Sequence, residues 1–150
     1  MNLEEEIEKK FYIGGFNCAE TTLSILIENE AIQLDKSIVK MMTGFGGGAT
    51  KGYLCGSVVA AISALGVLYG RTSPEQSREG SREAVNKYLN EFLKEYKTAQ
   101  CSELIADFKP KTQEQYAHCT KIIETSINAF LNVIKNKEQN ESFLMPTVCF

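Results

Sequence analysis

Five cysteines in a chain of 150 residues are the side chains most able to do chemistry here, and they stand at Cys18, Cys55, Cys101, Cys119 and Cys149. In a reducing compartment such a number argues for redox exchange or metal binding rather than a static disulfide framework. No Cys-x-x-Cys occurs, which excludes a zinc knuckle or a thioredoxin-type motif. Four thiols carried by four separate helices could still converge inside a bundle. Cys18, Cys55 and Cys101 fall at or near predicted helix starts, where free backbone N–H groups and the helix dipole favour the thiolate. That placement predicts lowered thiol pKa values.

Cys55 has the most distinctive surroundings. Gly44, Gly46, Gly47, Gly48 and Gly52 precede it and Gly56 follows, so the backbone is expected to turn tightly and deliver this thiol to the start of a buried helix. Gly46, Gly47, Gly48 and Gly56 are expected to support the site. A phosphate cradle is the other use of such a loop, with Lys51 nearby, but no strand precedes it and the Walker and Rossmann spacings are absent. His118 is the only histidine. As the neighbour of Cys119 on a helix it points about 100° away, so a structural role is expected for it rather than a shared ion.

The elements that must position these thiols read as helices. Leu3, Ile7 and Phe11 form one stripe of a first helix that Gly14 and Gly15 stop. Asn17 and Glu20 make a capping box for a second, running to about Asn29 with Cys18 in its first turn. Asp35 caps a short third helix over Lys36 to Thr43, with Ile38, Val39, Met41 and Met42 apolar. The segment from Cys55 to Tyr69 is apolar nearly all round and must therefore be surrounded by other helices. Every residue between Lys51 and Arg71 is uncharged, yet glycine, serine and alanine make the stretch too weakly hydrophobic for a membrane span. Gly70 is placed as its C-cap, and Ser73-Pro74 then predicts a helix from Pro74 to Lys97. Cys101 to Ala106 fits one or two turns before Lys109-Pro110. Thr112 and Gln115 offer a capping box to a last long helix whose stripe includes Tyr116, Cys119, Ile122, Ile123, Ile127, Phe130, Leu131 and Ile134.

The expected fold is therefore all-α, a single domain over 1–150 built as a bundle of about four longer helices with short accessory ones. The central apolar helix follows the glycine loop. Residues 136–150 read as a loose tail whose apolar end, 143–150, could dock on the body or form a homodimer contact. A hydrophobic content of 43% against 23% charged residues is that of an ordinary globular domain, and a net charge of −3 gives no broad attraction to nucleic acid or to an anionic membrane. The acidic Glu4-Glu5-Glu6 near the start is unlike a secretory signal, so a cytoplasmic location is expected.

The order Asn17-Cys18-Ala19, Gly44-Phe45-Gly46-Gly47-Gly48, Cys55-Gly56, Gly66, Gly70, Cys101 with Leu104, then Cys119 resembles the C_GCAxxG_C_C family, described as putative redox-active proteins. The likeness covers roughly residues 13 to 125. It implies four family cysteines, Cys18, Cys55, Cys101 and Cys119, with Cys149 outside the pattern. It also implies a cytoplasmic redox role with an unestablished electron partner. The family's CGAxxG segment is altered here to Cys55-Gly56-Ser57-Val58-Val59-Ala60, with Ser57 for alanine and Ala60 for the last glycine. The functional expectation is dithiol/disulfide exchange through the four thiols, with Cys55 activated, toward a partner protein or small thiol. The alternatives are the same four cysteines as ligands of an iron–sulfur cluster or a zinc ion, and an apo helical module that binds a protein without redox chemistry.

Overall fold

The computed structural model describes residues 1–141, and its described elements are helical. Helix α1 spans Leu3–Glu8 and runs into one wider turn, Lys9–Ile13. Helix α2, Cys18–Glu28, opens on the expected capping box. Asn17 Oδ1 accepts the Glu20 N–H and Glu20 Oε1 accepts the Asn17 N–H. Asn17 Nδ2 also donates to the Thr43 carbonyl at 2.9 Å, tying this cap to the entry of the glycine loop. Asn17→Ala removes both side-chain bonds, and we expect a loss of about 1–2 kcal/mol, read as a lower melting temperature.

Asp35 accepts the Ser37 N–H and starts a 3₁₀ segment, Lys36–Phe45. The tighter winding puts Val39 and Met42 in the core and leaves Met41 exposed, so only one of the paired methionines packs. Helix α3, Gly56–Tyr69, packs among α2, α4 and α6. Over its first three turns Val58, Ala60, Ala61, Ala64 and Leu65 are buried and Ser63 is exposed. Val67 and Leu68 near its end reach solvent, so the apolar helix is surrounded over only part of its length.

Helix α4 is Glu79–Tyr96 and begins later than the Ser73-Pro74 pair suggested. The Arg71 guanidinium takes the carbonyls of Pro74 and Gln76, and Gln76 Oε1 accepts from the Thr72 N–H and hydroxyl. Those bonds hold 71–78 as a turn. Lys97, at φ 64°, closes α4 in the left-handed region. A single turn, α5, spans Cys101–Leu104.

Helix α6 is Gln113–Glu141. The Thr112 hydroxyl accepts the Gln115 N–H, but Gln115 reaches back to the Lys111 N–H rather than to Thr112. Ile122, Ile123, Ile127, Phe130 and Val133 are buried along it, while Leu131 sits at the exposed edge. The helix continues through residues 136–141, the first part of the segment expected to be loose. That stretch has no glycine or proline, and Lys137 lies over the Tyr69 ring at 4.2 Å. The expected apolar tail, 143–150, and Cys149 lie outside the described residues. Among the described residues no helix is long and apolar enough to cross a membrane.

Candidate functional site

Each of the four cysteines is delivered by a different element. Cys18 is the first residue of α2, Cys55 is the N-cap of α3, Cys101 opens α5, and Cys119 lies in α6. All four are free thiols. A short antiparallel bridge, Leu54 with Gln100, brings Cys55 and Cys101 side by side: the Cys55 N–H donates to the Ala99 carbonyl at 2.8 Å and the Cys101 N–H to the Tyr53 carbonyl at 2.7 Å. His118 fixes α5 against α6. Its Nε2 donates to the Leu104 carbonyl at 2.8 Å, and its ring stacks on Phe108 with centroids 4.3 Å apart.

Two loops of backbone close around the thiols. Gly47, Gly48, Ala49 and Thr50 all have φ between 55° and 65°, a left-handed turn that costs alanine and above all a β-branched threonine conformational energy. Three of the four glycines singled out in the sequence, Gly46, Gly48 and Gly56, lie where a side chain would collide, while at Gly47 only the left-handed backbone, φ 64°, disfavours one. A Cβ on Gly46 would meet the Asn17 side chain at 2.7 Å, and one on Gly48 would meet the Tyr53 nitrogen at 2.5 Å and Cys101 Cβ at 2.7 Å. A Cβ on Gly56 would come within 2.6 Å of Cys18 Sγ. Gly47 adds its N–H, directed at the Cys18 sulfur.

Electrostatics single out Cys18 as the shared neighbour. Its charge acts on Cys55, Cys101 and Cys119, and that of Cys101 acts on Cys55 and Cys119. Cys18 and Cys101 are thus each within electrostatic reach of all three other thiols. Burial pushes all four thiols up, reversing the lowered values expected from helix starts. The desolvation cost exceeds what backbone dipoles return. Cys55 shows this most clearly. Burial and then the Cys18 charge push it up to about 12 against the N–H groups of Val58 and Ser57, so the thiol expected to be activated is held protonated. Cys119, pushed up to about 12 by burial and by Cys18 and Cys101, behaves alike. At Cys18 burial is opposed by four backbone N–H groups, those of Gly47, Ala19, Gly56 and Ser57.

The matched family is the one described as "Putative redox-active protein (C_GCAxxG_C_C)", over residues 16–133. The chain belongs to this family. Cys18, Cys55, Cys101 and Cys119 all fall within the matched residues. No curated protein and no solved structure matches the chain.

A four-thiolate cluster or zinc site needs its sulfurs turned toward one common volume. Among the described residues no three His, Cys, Asp or Glu side chains are grouped so that they could hold a metal ion, and Cys18 Sγ is packed on the Gly56 backbone instead. In this arrangement the donor set does not fit such a group.

Sequence reasoning overlooked a set of buried hydroxyls behind the thiols. Thr22, Ser57, Tyr88 and Ser126 are each fully buried and bonded to one another or to backbone. The available signal was a serine, Ser126, inside the apolar stripe of α6, and the Ser57 departure from the family's alanine.

Proposed function

We propose that this protein is a thiol redox protein that cycles a cysteine pair between dithiol and disulfide, with Cys18 as the attacking thiol, Cys101 as its resolving partner and Cys55 and Cys119 as flanking thiols. The observation that carries this reading is the environment of Cys18: four backbone N–H groups face its sulfur and three other thiols lie within electrostatic reach. Such donors favour the thiolate, the form that attacks a disulfide. The Cys18 thiolate displaces one sulfur of an external disulfide, which leaves as a thiolate and takes up a proton. Cys101, giving up its proton, then attacks the Cys18 sulfur of the mixed disulfide and releases the second external thiol. Two electrons pass from the Cys18–Cys101 pair to the external disulfide, and two thiols leave.

The electron partner would be a protein or low-molecular-weight disulfide, and a reducing compartment such as the cytoplasm would return the pair to thiols. The net charge of −3 supports neither nucleic acid nor an anionic membrane as partner. The test is anaerobic incubation of the reduced protein with oxidised glutathione, followed by disulfide mapping by mass spectrometry and by iron, zinc and sulfide analysis. We expect metal-free protein with one intramolecular Cys18–Cys101 disulfide, and Cys18→Ser, which lacks that sulfur, to form none and to release external thiols at least about a hundredfold more slowly. Thiols that all stay free under excess oxidant would overturn the reading in favour of a helical interaction module, and stoichiometric metal bound through the cysteines would overturn it in favour of a metal carrier.

A further inference from the structure

The buried hydroxyls form two directed pairs that meet at Ser57, one at its side chain and one at its carbonyl. Each hydroxyl has one hydrogen to give, so the carbonyl contacts fix the rest. Thr22 Oγ1 donates to the Cys18 carbonyl at 2.8 Å, and the Ser57 hydroxyl must therefore be the donor in the 2.6 Å contact with Thr22 Oγ1. Likewise Ser126 Oγ donates to the Ser57 carbonyl at 3.2 Å, so the Tyr88 hydroxyl donates to Ser126 Oγ at 2.7 Å. One pair runs from Tyr88 through Ser126 to the Ser57 carbonyl and the other from the Ser57 hydroxyl through Thr22 to the Cys18 carbonyl, so that together they span α4, α6, α3 and α2. None of the four side chains is exposed to solvent.

Burying four hydroxyls in an apolar core is costly unless each is paired, and a fully paired network fixes one arrangement of the elements that carry it. Thr120 gives a comparison within the same molecule. Its hydroxyl bonds back to the Tyr116 carbonyl at 2.9 Å in the ordinary manner of a helical threonine, with no second bond to another helix. Thr22 makes the same back-bond and also receives Ser57 at 2.6 Å, which fastens the first turn of α2 to the first turn of α3. Those are the turns that hold Cys18 and follow Cys55. Ser57 is the joint: its side chain grips α2, and its own N–H faces both the Cys18 and the Cys55 sulfur.

We infer that Thr22 and Ser57 are positioning residues for the Cys18 thiol, setting the register of α2 against α3 so that the Gly56 and Ser57 N–H groups reach its sulfur. The inference rests on the reading of Cys18 as the reacting thiol. Thr22→Ser keeps the hydroxyl that both receives and donates; Thr22→Val keeps the shape and loses both bonds. Ser57→Ala breaks the same contact with the residue that the family pattern carries, should Thr22→Val fold poorly.

The measurement is the pH dependence of iodoacetamide alkylation at Cys18, located by mass spectrometry, with thermal melting of each variant alongside. This readout does not need the protein to exchange disulfides, so an exchange-inactive wild type would count against the proposed function alone. The expected result is an alkylation profile displaced upward by about one pH unit, and about tenfold slower alkylation at neutral pH, in Thr22→Val and Ser57→Ala. Thr22→Ser should retain the wild-type profile. Wild-type profiles in the variants that lose the bond, or profiles that shift in Thr22→Ser as far as in Thr22→Val in step with melting temperature, would overturn the inference.

Discussion

The protein is expected to lose stability steeply once the pH passes 9, and its Cys55→Ala and Cys119→Ala variants to lose less. Cys55 titrates at about 12 in the folded chain against an ordinary thiol value of 9.0. Below pH 9 both folded and unfolded chains keep the proton and the group makes no difference. Between 9 and 12 the unfolded chain releases a proton that the folded chain retains, so unfolding is favoured by about 1.4 kcal/mol per pH unit for this group. By pH 12 that amounts to about 4 kcal/mol, a large share of the stability of a domain this size. Cys119, with a folded value of about 12, acts in the same direction. Carboxylates, lysines and tyrosines contribute equally to the wild type and to a cysteine variant. Comparing urea midpoints of the reduced wild type, Cys55→Ala and Cys119→Ala from pH 7 to 10.5 therefore isolates these two thiols. Each variant should show a flatter decline, and a pH dependence identical to that of the wild type would show that burial does not hold these protons.

Gly48→Ala is expected to be the most damaging single methyl group that can be added to the glycine loop. At φ +65° an alanine costs about 1–2 kcal/mol. The new Cβ would also fall 2.5 Å from the Tyr53 nitrogen, 2.7 Å from its carbonyl oxygen and 2.7 Å from Cys101 Cβ. Two of those atoms are backbone, in the very bridge that sets Cys101 beside Cys55, so relief requires moving the loop. Together the terms give about 3–4 kcal/mol, or a melting temperature lower by roughly 10 °C. Gly15→Ala is the matched control. It has φ +84° and nothing within 4 Å of the added carbon, so only the conformational cost applies. Equal melting temperatures for the two variants would mean that the close approach at Gly48 carries no energy.

Periodicity and capping chemistry make most of the helices readable in the sequence. The Asn17/Glu20 box, the Asp35 cap and the apolar stripe of α6 are local signals, and local hydrogen bonds decide them. The start of α4 was misread because Arg71 captures carbonyls from residues three and five positions on, a competition that a Ser-Pro signature does not reveal. The spacing of the four cysteines leaves their convergence open, whereas tight packing around Gly46, Gly48 and Gly56 is expected from residue type. The ionisation of the thiols is not legible in this way. Helix-start arguments count the favourable dipoles, whereas the penalty depends on how much water the finished fold removes, a property of all the elements together. The hydroxyl pairs escaped for the same reason, because they join residues that meet only when α2, α3, α4 and α6 are packed.

The way the thiols are distributed along the chain has a consequence for biosynthesis. Cys18, Cys55, Cys101 and Cys119 come from the second helix, the third, a single turn and the last, so every contact among them is of long sequence separation. Synthesis releases the N-terminal thiols first, and they have no partner until Cys101 has emerged and α5 has docked. The interval between emergence and closure is when these sulfurs meet oxidants as ordinary exposed thiols, and their gain of protection against a pulse of alkylating reagent marks the moment at which folding is complete.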